Sequence, residues 1–295
     1  MKDDIKAGDI VGRKSHNCDI LFKIDSIVVK NGIPFAMLRG VDLRLFADAP
    51  LNDLKLMTPS EISRYRQKFI KQNSDMMRNI FQRRLEEKEH HILYRNGFER
   101  ATKQSKIEFF EVPGQVLHVD GDKEYLDLCL TTYSQLRIKA QGLFVPEKDQ
   151  PDAIAEYLPK FIPDILVVTG HDGLLKGKKD FSKLENYRHS KYFVESVRRA
   201  RKFEPGRDDL IIFAGACQSH YEAIIEAGAN FASSPQRIFI HAFDPVFIVE
   251  KLAYTSIYDV IAIKDIINNT ITGIEGVGGI ETRGRLRMGY PKSPY

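Results

Sequence analysis

A histidine and a cysteine in this sequence follow two apolar segments in the same manner. The run Ile-Leu-Val-Val at 165–168 leads into His171, and the run Leu-Ile-Ile-Phe at 210–213 leads into Cys217. A free thiol has a pKa of about 8.5, and a nearby imidazole favours the nucleophilic thiolate at neutral pH. The pattern therefore predicts a thiol hydrolase in which Cys217 attacks a carbonyl carbon and His171 transfers the proton.

The residues around Cys217 fit the needs of such a nucleophile. Two small residues precede it, which would let a substrate backbone approach closely. We predict a helix that begins near Gln218, where free N–H groups and the helix dipole would stabilise a thiolate. The N–H of Cys217, together with that of Gly173 or Asp172, could form an oxyanion hole.

The other cysteines and histidines compete for these roles. A cysteine after an apolar strand is commonly a packed core residue, and we interpret Cys18 and Cys129 as structural. His220, three residues after Cys217, is the alternative base because it could sit one helical turn away. Five further histidines are interpreted as solvated, core or loop residues: His90, His91, His118, His189 and His241.

Strands and helices must alternate to place these two residues together. Short apolar runs predict buried strands at 116–119, 142–145, 165–168, 210–213 and 238–240, and the stretches between them predict helices at 123–139, 152–161, 191–203 and 218–227. Continuous apolar strands separated by helices indicate an α/β fold with a mostly parallel sheet flanked by helices. Ligands of such sheets bind outside the carboxyl ends of the strands, where both candidate residues would lie.

The residues before and after the predicted α/β region have different sequence patterns. Residues 1–57 contain short strands and the hairpin signal Asn31-Gly32, and they predict a small SH3-like β-barrel. From Thr58 a capping signal opens a basic helical linker over 58–106, in which a helix or helical pair ends at Asn96-Gly97 and residues 102–106 are polar linker. We predict an α/β peptidase domain over 107–273 and a loose Gly/Arg-rich tail over 274–295.

Composition excludes several classes of protein. No apolar stretch approaches the ~18 residues that span a bilayer, and the polar start Met1–Asp4 is not a signal peptide, so we expect no membrane insertion. Three cysteines without metal-type spacing favour a reducing, intracellular compartment.

The net charge is +4, and residues 59–106 alone carry +6. A solvated helical face explains this charge better than a nucleic-acid site. No phosphate loop or metal motif is present, and we predict no cofactor.

The residues around His171 and Cys217 resemble those of the caspase-like peptidases. In that group an apolar strand leads to His and a second leads to Ala-Cys, and the segment 215–219 is close to the caspase cysteine motif. More specifically, the sequence resembles the YabG family of sporulation-specific cysteine peptidases over nearly the whole chain, with matching stretches at 7–11, 47–51, 119–122, 169–173 and 215–218. One departure is that Asp172 separates His171 from Gly173, which leaves the second oxyanion donor open.

The resemblance implies a fold, substrates and a place in the cell. It implies a caspase-like α/β domain that processes spore coat and cortex-related proteins, with self-processing and cleavage after basic residues. The enzyme would work in the mother-cell cytoplasm of a sporulating bacterium or on the spore coat. A basic P1 side chain needs a buried carboxylate. Asp120, which directly ends the first sheet strand, is favoured for this role over Asp122 and the rival Asp172.

Two other functions remain as alternatives. A non-catalytic adaptor would use the barrel and the basic helix to bind coat proteins or RNA, and it would depend on Arg83 and Arg84 rather than on Cys217. A glutaminase-type hydrolase also carries Cys at a strand–helix turn, but its His follows the Cys. Here His171 precedes Cys217, which disfavours that class. The sequence does not determine the oligomeric state.

Overall fold

The N-terminal region forms a five-stranded antiparallel sheet. The computed structural model describes the backbone of residues 5–99 and 110–289 and the side chains of all of these except 88–99. The sheet contains β1 (Ile10–Arg13), β2 (Leu21–Lys30), β3 (Ile33–Gly40), β4 (Phe46–Pro50) and β5 (Leu54–Leu56), in the order β4-β3-β2-β1-β5. Its own small core includes Val11, Leu38 and Leu54. The hairpin predicted at Asn31-Gly32 is confirmed, and both turn residues have positive φ.

One long helix follows this sheet. Helix α1 spans Pro59–Glu99 as a single element, which confirms the predicted start, but the predicted end at Asn96-Gly97 is wrong because the helix continues through both residues. Its start is a capping box, in which Thr58 N–H donates to Glu61 and Glu61 N–H donates to the Thr58 hydroxyl. The polar linker predicted at 102–106 lies outside the described residues.

The second region is built on a six-stranded sheet. The strands and helices in chain order are β6 (Phe110–Val112), β7 (Val116–Asp120), α2 (Lys123–Gln135), β8 (Ala140–Phe144), α3 (Gln150–Phe161), β9 (Ile165–Thr169), α4 (Ser190–Phe203), β10 (Ile211–Ala214), α5 (Tyr221–Glu226), β11 (Phe231–Ser233), α6 (Asp244–Tyr254), β12 (Val260–Ile261), α7 (Ile263–Asn268), β13 (Val277–Gly279), β14 (Thr282–Arg283) and β15 (Arg287–Gly289). The sheet order is β13-β11-β10-β9-β7-β8, with only β13 antiparallel to its neighbour.

Helices cover both faces of this sheet. On one face, β-strand residues such as Val167 and Phe213 pack with α2 and α6. On the other, residues such as Leu166 and Ile212 pack with α3 and α4. Because successive side chains of a strand point to opposite faces, a strand covered on both sides is apolar throughout. The predicted α/β class with a parallel-rich sheet is therefore confirmed.

Three local predictions differ from the structure. The apolar segment Ile238–Ile240 was predicted as a strand, but it is a loop, and the short strand β11 takes the place beside β10. The backbone of the Ile238–Ile240 loop instead contacts the turn that carries Cys217, where Gln218 N–H donates to Ile238 O. The helix expected to start near Gln218 begins only at Tyr221.

The segment expected to be a loose tail is instead part of the fold over 277–289. Strand β13 pairs with β11, and β15 pairs with β6. Glycine makes the first pairing possible, because a Cβ at Gly279 would clash with the backbone of Asn230. The buried Arg285 side chain then donates to the carbonyls of Asp208 and Asp209.

Helix α1 is tied to the second region by a buried carboxylate. Glu250 of α6 is fully buried and accepts from Arg83 at 2.5 Å and from Arg84 at 2.7 Å. Arg84 also donates to Leu136 O at 2.9 Å. These two arginines of the basic segment are therefore engaged within the chain.

Candidate active site

His171 and Cys217 lie at equivalent positions beyond two neighbouring strands. Strands β9 and β10 are parallel and adjacent, with Ala214 opposite Val168. Paired residues of β9 and β10 are 46 positions apart in the chain, and Cys217 and His171 have the same separation. The pairing continues past the strand end, since Gly215 N–H donates to Val168 O at 3.0 Å. Both residues thus follow the carboxyl edge of the sheet, as the sequence predicted.

The thiol of Cys217 is held against the loop after β11. The N–H of Ile240 lies 3.2 Å from Sγ, and the side chain is almost fully buried. Burial raises the pKa of Cys217 to about 12, although the Ile240 N–H and the Arg44 guanidinium act in the opposite direction. In this arrangement the sulfur is a protonated thiol at neutral pH. Within the described part of the chain, no hydrogen bond joins it to His171.

The imidazole of His171 is oriented by Glu147. The Oε1 atom of Glu147 accepts the His171 backbone N–H at 2.7 Å and lies 3.2 Å from Nδ1. Burial acts to raise the pKa of Glu147, but hydrogen bonds from His171 outweigh it and leave that pKa below its ordinary value. A proton on Nδ1, donated to this carboxylate, leaves Nε2 free to accept a proton. Nε2 has no hydrogen-bond partner among the described residues.

Sequence reasoning did not find Glu147. It follows strand β8 after Val145-Pro146, so it lies at the same carboxyl edge as His171 and Cys217. Two glycines make room for it: a Cβ at Gly170 would lie 2.5 Å from its Oε1, and a Cβ at Gly121 would also clash with it. The sequence did contain a signal for it, because Glu147 is an acidic residue just after the strand predicted at 142–145.

Asp172 joins the two loops that carry the candidate pair. Its carboxylate accepts from Gly173 N–H at 2.9 Å, from His189 N–H at 2.8 Å and from the Ser219 hydroxyl at 3.0 Å. The Ser190 hydroxyl also donates to it. Burial raises the pKa of Asp172, while these four donors act to lower it. The structure thus places this rival substrate-binding residue in a saturated network that links the His171 loop to the turn after Cys217.

The predicted oxyanion donors lie in these same loops. The N–H of Gly173 is bonded to Asp172, and a Cβ at Gly173 would lie 3.3 Å from Oε1 of Gln218, so the two loops are neighbours. Gly215, with φ of 112°, allows the turn before Cys217. Assignment of Gly173 and Cys217 as oxyanion donors stays a prediction.

Asp120 and Asp122 follow the next strand of the same edge. Asp122 caps helix α2 by accepting from Glu124 and Tyr125, and its Oδ2 lies 3.4 Å from Nε2 of His171. Asp120 is fully buried, and its Oδ2 lies 2.6 Å from Nη1 of Arg44. A buried guanidinium keeps the pKa of Asp120 well below its usual range against the effect of burial.

The competing histidines have other partners. His220 is the N-cap of α5: its Nδ1 accepts from Ala223 N–H, and its Nε2 lies 3.0 Å from Ser182 O. Both ring nitrogens are therefore engaged away from the thiol. His118 lies 2.8 Å from the Thr169 hydroxyl, and His189 lies 2.7 Å from His171 O. All three cysteines are free thiols.

The described residues contain no group of three His, Cys, Asp or Glu side chains placed to hold a metal ion. Within residues 5–99 and 110–289, no helix combines the length and apolar character needed to cross a bilayer.

Comparison with known proteins shows that this chain is a peptidase. The model of the YabG peptidase U57 family matches residues 6–291, and the chain belongs to this family. It is also 42% identical over 294 residues to the sporulation-specific protease YabG of Bacillus subtilis strain 168, covering 96% of this chain and 97% of that protein. No solved structure matches the chain significantly.

Proposed function

We propose that this peptidase is a cysteine endopeptidase with Cys217 as nucleophile and His171 as general base and acid. The observation that carries the proposal is the equivalent placement of the two residues beyond neighbouring strands, with Glu147 on the far nitrogen of the imidazole. An orienting group on a base beside a nucleophile is the arrangement that activates thiols and hydroxyls in hydrolases.

The proposed reaction has two halves. The thiol of Cys217 gives its proton to Nε2 of His171, and the sulfur bonds to the scissile carbonyl carbon, whose oxygen takes the electron pair. Backbone N–H groups, with Gly173 and Cys217 as the predicted donors, stabilise that oxygen, and the Gly173 N–H must first leave the carboxylate of Asp172. The C–N bond then breaks, and the proton on His171 passes to the leaving amine. Water hydrolyses the thioester, releases the new carboxylate and restores the thiol.

The relative in Bacillus subtilis is named a sporulation-specific protease, and we extend that setting to this chain. The substrates would be spore coat and cortex-related proteins in the mother-cell cytoplasm or on the coat. Cleavage after arginine, with Asp120 as the P1 partner, and self-processing belong to the same proposal. So do a caspase-like arrangement of the second region and an SH3-like one for the N-terminal sheet. The adaptor alternative loses support, since Arg83 and Arg84 pair with Glu250.

The proposal is tested with purified Cys217→Ala and His171→Ala proteins. Both should lose cleavage of a coat-protein extract and of the chain itself, as measured by mass spectrometry of the fragments. Cys18→Ala and His16→Ala are the controls, because Cys18 packs against Gly12 of β1 and His16 lies in the short turn that follows that strand. Retained cleavage by either active-site variant removes the assignment. Fragment ends also give the P1 residue, and cuts after acidic or apolar residues would contradict the role of Asp120.

A further inference from the structure

The loop between β3 and β4 lies against the candidate active site. Leu43 forms an antiparallel β-bridge with His241, and Ala242 N–H donates to Asp42 O at 3.2 Å. The neighbouring residue Ile240 is the one whose N–H contacts Sγ of Cys217. The loop between β3 and β4 thus pairs like a β-strand with residues 241–242, which directly follow the residue that contacts Sγ of Cys217.

From this loop the Arg44 side chain enters a closed pocket. The side chains of Arg44 and Asp120 are both fully buried, and Nη1 lies 2.6 Å from Oδ2. Nη2 lies 3.4 Å from Sγ of Cys129, and the guanidinium carbon lies 5.1 Å from the centre of the Tyr125 ring. The pocket therefore offers a carboxylate and an aromatic face, which are the groups that select a guanidinium over other side chains.

The carboxylate in this pocket is held by hydrogen bonds from the sheet edge that carries His171. Asp120 accepts from Asp122 N–H at 2.9 Å and from the Thr169 hydroxyl at 2.8 Å. Thr169 ends the strand that leads to His171, so the pocket and the imidazole share one strand end. A side chain bound to Asp120 must come from a backbone that lies near the His171 and Cys217 loops.

We propose that the Asp42–Leu45 loop is an intramolecular inhibitor, in which Arg44 fills the pocket that receives the arginine side chain of substrates. This inference rests on the proposed function, and it adds the occupant of the substrate pocket. In this closed arrangement Cys217 is 1% exposed, and its sulfur contacts Ile240, two residues before the Ala242 that bonds to the loop. Opening of the loop would admit both a substrate arginine and the solvent that the thiol now lacks.

The backbone geometry around Arg44 explains why it blocks the site instead of being cut there. The chain folds back directly at this residue: Leu45 N–H donates to Leu43 O at 2.7 Å, and Gly40 N–H donates to Leu45 O at 2.7 Å. The Tyr125 hydroxyl also donates to Leu43 O at 2.6 Å. A scissile bond is normally presented in an extended strand, whereas the bond after Arg44 lies inside a tight turn.

The test compares full-length wild type with Arg44→Ala, and Arg13→Ala is the matched control. Arg13 pairs with Asp53 in the same N-terminal sheet. If the site is open in less than about a tenth of the molecules, removal of Arg44 raises kcat/KM for a short fluorogenic peptide with arginine at P1 by roughly tenfold or more. Arg13→Ala should match the wild type.

A second measurement does not depend on catalysis. Argininamide should raise the Tm of Arg44→Ala, since the emptied pocket can bind it, and should leave the wild-type Tm unchanged. If argininamide shifts the Tm but no variant hydrolyses the peptide, the result supports Arg44 as the occupant of an arginine pocket and contradicts the proposed cysteine peptidase activity. A folded Arg44→Ala protein with neither faster hydrolysis nor a Tm shift would overturn the inhibitor.

Arg44→Ala leaves Asp120 as an unpaired buried charge, which can prevent folding. The double variant Arg44→Ala/Asp120→Asn removes both charges and avoids this problem. It should allow faster alkylation of Cys217 by iodoacetamide than the wild type, read by peptide mass spectrometry, and should not respond to argininamide. Protection of Cys217 equal to that in the wild type would overturn the proposal.

Discussion

The Nδ1 atom of His171 lies 3.2 Å from Oε1 of Glu147, the same oxygen that accepts the His171 backbone N–H at 2.7 Å. One carboxylate oxygen thus holds both the main chain and the ring of the candidate base. Because an ionised carboxylate only accepts, this contact favours a proton on Nδ1 and leaves Nε2 on the other side of the ring, 3.4 Å from Oδ2 of Asp122.

Replacement of Glu147 by Gln should lower kcat with little change in KM. The neutral amide stabilises the imidazolium less well, and we expect a loss on the order of a hundredfold. Steady-state hydrolysis of an arginine peptide measures the effect. Glu156→Gln serves as the control, because Glu156 pairs with Lys160 on the exposed face of α3. An unchanged kcat for Glu147→Gln would show that His171 needs no orienting carboxylate.

Replacement of Gly170 by Ala should impair catalysis indirectly. The added methyl group would lie 2.5 Å from Oε1 of Glu147, so the carboxylate must move away from His171. We expect kcat to fall toward the value of Glu147→Gln while the protein stays folded. Gly142→Ala is the matched control in the same sheet, because the atoms nearest to its methyl group would be the flexible side-chain ends of Leu130 and Leu126. Equal kinetics for both alanine variants would contradict the steric argument.

Replacement of Glu250 by Ala should destabilise the protein. It leaves Arg83 and Arg84 without their buried partner, and loss of one side of a buried ion pair costs about 3–5 kcal/mol. Urea unfolding measures the free energy of unfolding. Asp48→Ala is the control: Asp48 pairs with Lys30 at the surface, where the expected cost is below about 1 kcal/mol. A cost for Glu250→Ala no larger than that of the control would mean that α1 is not anchored through this cluster.

The buried thiol of Cys217 makes stability depend on alkaline pH. Its pKa is raised in the folded protein to about 12, whereas the unfolded thiol titrates near 8.5. Stabilisation by the protonated thiol is therefore fully present below about pH 8.5 and is lost as the pH rises toward the folded-state pKa. Between pH 8.5 and pH 10 the wild type should lose about 2 kcal/mol more free energy of unfolding than Cys217→Ala. Parallel pH profiles for the two proteins would contradict a buried, protonated thiol.

Several features could be predicted from the sequence because neighbours in the chain determine them. The hairpin at Asn31-Gly32 depends on two residues that tolerate positive φ, and the start of α1 depends on the Thr58–Glu61 capping box. The strands before His171 and Cys217 were predicted because strands buried on both faces are apolar at every position. Parallel order then brings their carboxyl ends to one edge.

Other features were decided only by the tertiary structure. Glu147 meets His171 across 24 positions, Ile240 meets Cys217 across 23, and Arg44 meets Asp120 across 76. No local periodicity or turn preference encodes such pairs, because each arises when separate elements dock and buried charges must find partners. Ile238–Ile240 illustrates the limit: its composition suits a strand, but the backbone groups of that segment are used at the turn that carries the nucleophile.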